Sequence, residues 1–198
     1  MGTRHLTIVV SEGQYKVAQY GQWDGYPTGQ GKTVTQFIID NLRQQDGFDS
    51  FKKKIDACKF ISREDLQEKM KDYPQYVTLE QKRELDAKFS AFSRNTCAKI
   101  LDVINNSVEP VELQNMIEFA NDSLFCEWAW VVNLDNKTLE VFEGFNKSPL
   151  DVNERFYKPQ SDSDGYFPIK LLKIYSFDEL TATSMQELED ECRGNDEE

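Results

Sequence analysis

The stretch YPTGQGKT, residues 26 to 33, fills the last three fixed places of the phosphate-binding pattern G-x-x-x-x-G-K-[ST] with Gly31, Lys32 and Thr33. Tyr26 stands where that pattern has its first glycine. A P-loop grips phosphate with successive backbone amides, and a side chain at the first glycine crowds the wrap. It must also join a buried parallel strand directly to a helix inside a β-α-β series. Here the strand before the loop reads as the second arm of a hairpin, and no such series follows. Asp135, at the end of WVVNLD, could serve as a magnesium-side aspartate, but it falls in a turn. The spacing does not predict phosphate chemistry.

Nucleophilic chemistry has one candidate. Cys126 beside Glu127 offers a thiol that His5 could activate as base. The plainer reading makes Cys126 a buried strand cysteine and His5 a half-buried structural histidine. An N-terminal nucleophile is disfavoured, because removal of Met1 exposes Gly2, which has no side-chain nucleophile. With a single histidine the chain cannot build multi-histidine metal centres, and no metal or cofactor is expected. Cys58, Cys97, Cys126 and Cys192 form no C-x-x-C pair, so they read as reduced thiols.

Binding has a better candidate, the segment QWDGYP at residues 22 to 27. Trp23 and Tyr26 offer flat faces to a ring, while Arg4, Gln22 and Asp24 supply directional polar contacts. Arg4 joins them if the strand 5–10 pairs with 14–20, since the ends of a hairpin lie side by side. The same residues also suit a rigid turn that merely covers the sheet. In that reading Asp24 bonds to later amides, Gly25 takes a positive φ and Pro27 fixes its own.

These residues must be held by the elements around them. HLTIVV and QYKVAQY predict two strands joined at Ser11–Gln14, with Gly13 able to take a positive φ. VTQFIIDNL predicts a helix capped by Thr33 or Thr35. Asp49 is placed to cap another, and SRED at 62–65 and TLEQ at 78–81 are capping-box starts. TCAKILDVINN predicts a further helix with Ile100, Leu101 and Ile104 inward. CEWAWVV and TLEVFEG predict a second hairpin with Trp128, Trp130 and Val132 on one face. FPIKLLKIYSF predicts a fifth strand, and Ser176 with Glu179 and Ser184 with Glu187 predict two short helices. The expected fold is α+β: a mostly antiparallel sheet of about five strands from two hairpins, covered by a helical layer at 35–107 inserted between them. One domain spans 1–186, followed by an acidic, flexible tail at 187–198.

Composition narrows the partners. The 198-residue chain is 39% hydrophobic and 12% aromatic, enough for a core. No apolar run approaches the roughly 20 residues that span a bilayer. The start has no signal-peptide pattern, so a cytoplasmic protein is expected. Net charge is −12, and the segment 187–198 supplies −6 of it with seven acids and one arginine. That disfavours binding to nucleic acid, which needs clustered lysine and arginine. An acidic nucleic-acid mimic is also disfavoured, since half of the excess charge lies in one terminal segment.

The opening MGTRHLTIVV with YGQWDGYPTGQGKTV resembles a family of uncharacterised proteins spread through phage, bacterial and fungal genomes. That family shares a Met-Gly-Thr-Arg start and a loop Q-[WYF]-D-G-Y-P-x-G-x-G, matched here by Gln22, Trp23, Asp24, Gly25, Tyr26, Pro27, Gly29 and Gly31. Residues 123–146 are similar to a hairpin of its fungal members. The resemblance implies no established activity, and it makes no demand for Lys32 or Thr33. The expected function is a non-catalytic binding protein with a pocket around the loop. Its ligand would be a small molecule, nucleotide-like for example, or a host protein, as for a phage factor against host defence. The alternative is a hydrolase of amides or nucleotides using the Arg4/Asp24 region or Cys126.

Overall fold

The structure, a computed structural model, describes residues 2–73, 78–162 and 164–195. β1 (His5–Ser11) and β2 (Gln14–Gly21) form the expected hairpin, with His5 opposite Gly21. Its turn has φ +55° at Glu12 and +69° at Gly13, the two left-handed residues that match the twist of the strands. The carboxylate of Asp135 accepts from the amides of Glu12 and Gly13 at 2.8 Å each. The aspartate weighed for magnesium thus anchors one hairpin tip to the other.

β5 (Trp128–Asn133) and β6 (Thr138–Glu143) are the second hairpin, and β7 (Lys170–Ser176) pairs antiparallel with β6. The five strands lie in the order β2-β1-β5-β6-β7. At the centre β1 and β5 run parallel, His5 opposite Trp128. The two hairpins therefore join through their first strands, and the chain between them must cross back over the sheet.

The crossing chain is the helical layer. α1 (Lys32–Phe37) is flanked by wider π-type turns at Pro27–Gly31 and Ile38–Leu42, then α2 (Gln45–Ala57) follows. The first helical segment starts at Pro27, six residues before the expected Thr33 cap, and its N-cap residue Tyr26 makes no side-chain cap bond. Proline is at home in a first helical turn because its missing N–H would have had no helical partner. α2 likewise begins before Asp49. β3 (Lys59–Phe60) pairs with β4 (Glu112–Leu113) in a small separate sheet that the sequence did not disclose. Both expected capping boxes form, Ser62 with Asp65 on α3 (Arg63–Met70) and Thr78 with Gln81 on α4 (Leu79–Lys88). α5 (Ile100–Asn106) buries Ile100, Leu101 and Ile104 as expected.

Ser176 and Glu179 exchange hydrogen bonds, but they close a turn and start no helix. α6 (Ser184–Asn195) takes up the segment expected as a tail as far as Asn195, with Leu188 in the core. Residues 196–198 lie outside the described residues. The sheet is covered on both faces. Helices pack over Val9, Trp130, Val132 and Val141, and residues of the segments 117–126, 145–162 and 164–169 cover Leu6, Ile8, Val131 and Phe142.

Candidate functional site

One end of the sheet collects the starts of β1 and β5 and the finishes of β2 and β6. Main-chain bonds stitch it together: Gly25 N to Thr3 O at 2.9 Å, Glu127 N to Arg4 O at 3.1 Å, and Gly144 N to Glu127 O at 2.9 Å. The QWDGYP loop lies across this end. Its hinge is Asp24, not Gly25: Asp24 has φ +55°, a left-handed backbone that Asp adopts more readily than most residues. Gly25 is needed for space, because a Cβ there would lie 2.8 Å from His5 Cβ and 2.9 Å from Thr3 O.

Trp130, fully buried, donates from Nε1 to the Gly25 carbonyl at 3.2 Å and stacks on Trp128 with ring centroids 5.8 Å apart. The loop thus rests on an indole pair that runs into the sheet.

The predicted binding residues are adjacent but do not converge. Trp23 is 46% exposed, and its Nε1 donates to Asn95 Oδ1 at 2.9 Å. Tyr26 is 38% exposed, with its hydroxyl 3.5 Å from Asp24 Oδ1. Gln22 turns the other way and accepts from the Tyr20 hydroxyl at 2.8 Å. The Arg4 guanidinium lies 4.5 Å over the Phe125 ring, with Glu127 Oε1 3.8 Å from its Nε. Trp23, Asp24 and Tyr26 face solvent together, whereas Arg4 and Gln22 are engaged by neighbours.

A cleft of about 440 Å³ opens at this end, lined by Glu127, Trp128, Glu143, Phe145, Leu172 and Cys192. None of the five predicted residues lines it. Phe145 is 57% exposed and has φ +54°, an outlier for a bulky residue. The sequence offered a faint sign, an aromatic in the polar run EGFNK. Nothing local could show that α6 would bring Cys192 to the opposite wall.

In the phosphate-like stretch the amides of Thr28, Gly29, Gln30 and Gly31 are all engaged. Gly29 N and Gly31 N donate to Tyr26 O, and Gln30 N donates to Asp24 O at 2.8 Å. Thr28 gives its amide and hydroxyl to Glu189 Oε2 on α6, at 2.9 and 2.5 Å. A carboxylate of the chain itself sits where an anion would bind this helix start.

The thiol and imidazole do not form a pair. Cys126 belongs to the core on one face of the sheet, whereas His5 shares the opposite face with Thr7 and Val9. Burial pushes the Cys126 thiol well above the ordinary range. His5 is fully buried rather than half-buried, its ring seated against Gly21, and neither ring nitrogen has a partner among the described residues. Desolvation lowers its pKa to about 3. Burial likewise raises the Tyr20 phenol, opposed by the nearby positive charges of Arg4 and Arg94.

Among the described residues no group of three or more His, Cys, Asp or Glu side chains is arranged to hold a metal ion. No described helix is long and apolar enough to cross a membrane. No protein-family model matches the chain, and neither curated proteins nor solved structures give a match.

Proposed function

We propose that the chain is a binding protein whose ligand docks at this end of the sheet, between the QWDGYP loop and the cleft beside Trp128. The ligand is a ring-bearing small molecule, met by the exposed faces of Trp23, Tyr26 and Phe145. The observation that carries this reading is where the backbone is strained. Five non-glycine residues have positive φ among the described residues. Glu12 and Lys137 are explained by the two hairpin turns. Of the other three, Asp24 and Cys97 meet at the loop, where Cys97 Sγ approaches the Trp23 and Arg94 carbonyls, and Phe145 follows β6 at the same end of the sheet. Strain of about 1–3 kcal/mol per residue persists where the rest of the fold holds it, and such positions gather at ligand sites. Solvent-facing aromatics beside that strain do not serve the core.

A hydrolase built on Cys126 gains no support from this geometry, because its thiol is sealed and the only histidine faces the other way. The test is mass spectrometry of the purified protein under native and denaturing conditions, beside an Asp24→Ala variant. A stoichiometric small molecule present in the native protein and lost from the variant is the expected result. A native mass equal to the bare chain, with no small molecule released on denaturation, would count against the reading.

A further inference from the structure

We propose that His5 is an acid-operated latch beneath the QWDGYP loop: protonating its ring lifts the loop off the corner of the sheet while the strands below stay paired. The latch belongs to the fold whether or not a ligand is docked, so it does not rest on the binding reading. Its geometry is a cradle of glycines. A Cβ on Gly21, the last residue of β2, would lie 2.0 Å from His5 Cε1, and one on Gly25 would lie 2.8 Å from His5 Cβ. Those two glycines bracket Gln22, Trp23 and Asp24, so the imidazole sits under both ends of that stretch of the loop. The ring is fully buried, and neither nitrogen has a hydrogen-bond partner among the described residues.

A buried polar group without a partner costs stability, and a buried charge without one costs far more. The groups around His5 offer an imidazolium no counter-charge. Arg4, next in the chain, carries the same sign, and its guanidinium lies over Phe125 beside Glu127. Asp24 of the loop is exposed, next to the Tyr26 hydroxyl. Tyr20 of β2 packs edge-on against Phe119 in the opposite core, and Trp128 of β5, opposite His5, is uncharged. The turn at Cys97–Lys99, packed on β1 and β2, brings a thiol that burial keeps protonated and an exposed lysine. Burial is the one cause of the ring's reluctance to take a proton, so hydration is what the imidazolium requires. The loop is the weaker cover. It is held by single bonds, Gly25 N to Thr3 O at 2.9 Å, Gln22 N to Arg94 O at 3.2 Å, and the indoles of Trp130 and Trp23 to Gly25 O and Asn95. β1 is instead laddered on both sides, to β2 and to β5.

With the loop open, His5 takes a proton near its ordinary 6.5; with it closed, only near 3. Lowering the pH from 8 to 5 should therefore raise the open population about thirtyfold. Amide hydrogen exchange, corrected for its intrinsic pH dependence, reads this at Gln22 and Gly25. Their protection should fall about thirtyfold over that range and should not respond to low urea. Val131, in the central strand β5, should respond strongly to urea, because its amide opens only with the whole sheet. His5→Leu and His5→Gln do not titrate, and both should keep Gly25 protection level from pH 8 to 5. Gly25 exchange that tracks Val131 through the urea series would overturn the latch, a result the parent protein gives without either variant. The parent's pH slope retained in a folded His5 variant would overturn it too. Neither outcome touches the binding reading, which the mass released from native protein and from Asp24→Ala decides.

Discussion

Glu189 of α6 accepts two hydrogen bonds from Thr28, 161 positions earlier, and so closes the start of the helical segment that follows the QWDGYP loop. Arg193 pairs with the same carboxylate one helical turn on, which fixes its direction. A side chain from the far end of the sequence does the work that a local Ser, Thr or Asp does at most helix starts.

Replacing that carboxylate should therefore behave like loss of a cap. Glu189→Ala is expected to cost about 1–2 kcal/mol, read as a lower urea midpoint at unchanged slope. Thr28→Val should cost less, because the amide bond to Glu189 survives. Equal stability of Glu189→Ala and the parent would show that the contact contributes nothing.

Stability should fall as the solution is acidified below pH 6.5. In the unfolded chain His5 gains its proton near pH 6.5, whereas in the folded protein it holds out to about 3. Above 6.5 the imidazole is neutral in both states and contributes no pH dependence. Between 6.5 and 3 the unfolded state binds more protons, so stability drops by about 1.4 kcal/mol per pH unit. His5→Leu should remove this slope from 6.5 to 5, where few carboxylates titrate. Urea titrations at three pH values read it directly, and parallel pH profiles for the two proteins would refute the assignment.

Gly25 tests the packing beneath the loop. Its substitution by alanine pushes a Cβ against His5 and the Thr3 carbonyl, at 2.8 and 2.9 Å. The expected loss is about 1–3 kcal/mol, typical of overpacking a filled site. Gly13→Ala, in an open turn with φ +69°, should lose about 1 kcal/mol from backbone strain alone.

Phe145 should separate stability from binding. Asparagine accepts a left-handed backbone more easily than phenylalanine, so Phe145→Asn is expected to raise stability by up to about 1 kcal/mol. The same change removes one aromatic face of the cleft and should weaken ligand binding. Thermal melts and the mass of small molecule released on denaturation together decide it; a less stable variant that retains its ligand would contradict both halves.

The thiols give a further test. Cys126 is completely buried with its thiol pushed well up, and Cys97 is also buried. Neither should react with a thiol reagent until the protein unfolds, while the half-buried Cys58 and Cys192 react faster. Rapid labelling of Cys126 in native protein would mean that the sheet opens at β5.

What the sequence disclosed was what is coded within a few neighbours. Alternation in HLTIVV and CEWAWVV, and the capping boxes at Ser62 and Thr78, all carry their signal within one element. The helical segment from Pro27 was missed because PTGQG has the composition of a loop. Its glycines are steric: a Cβ on Gly29 would run into the Asp24 carbonyl, and one on Gly31 into the Trp130 ring. Those neighbours are distant or invisible until the chain is folded. The second core over Leu6 and Ile8 was also hidden, because Leu150, Phe156 and Ile169 reach it without any periodic pattern. Trp23, Asp24 and Tyr26 could be read as exposed and adjacent. The cleft beside them could not, since its walls come from β5, β6, β7 and α6.

The parallel pairing of β1 with β5 has a consequence for how the chain is made. His5 meets Trp128 only after 123 further residues have been added. At about 5–20 residues per second, the first hairpin, complete at Gly21, is made roughly 5–21 s before its central partner begins. During that interval the inner edge of β1, fully apolar or buried in the finished protein, stands open to pairing with any other nascent strand. Production of this protein should thus be limited by escape from misassembly during translation, and slowing synthesis before β5 would lengthen the period of risk.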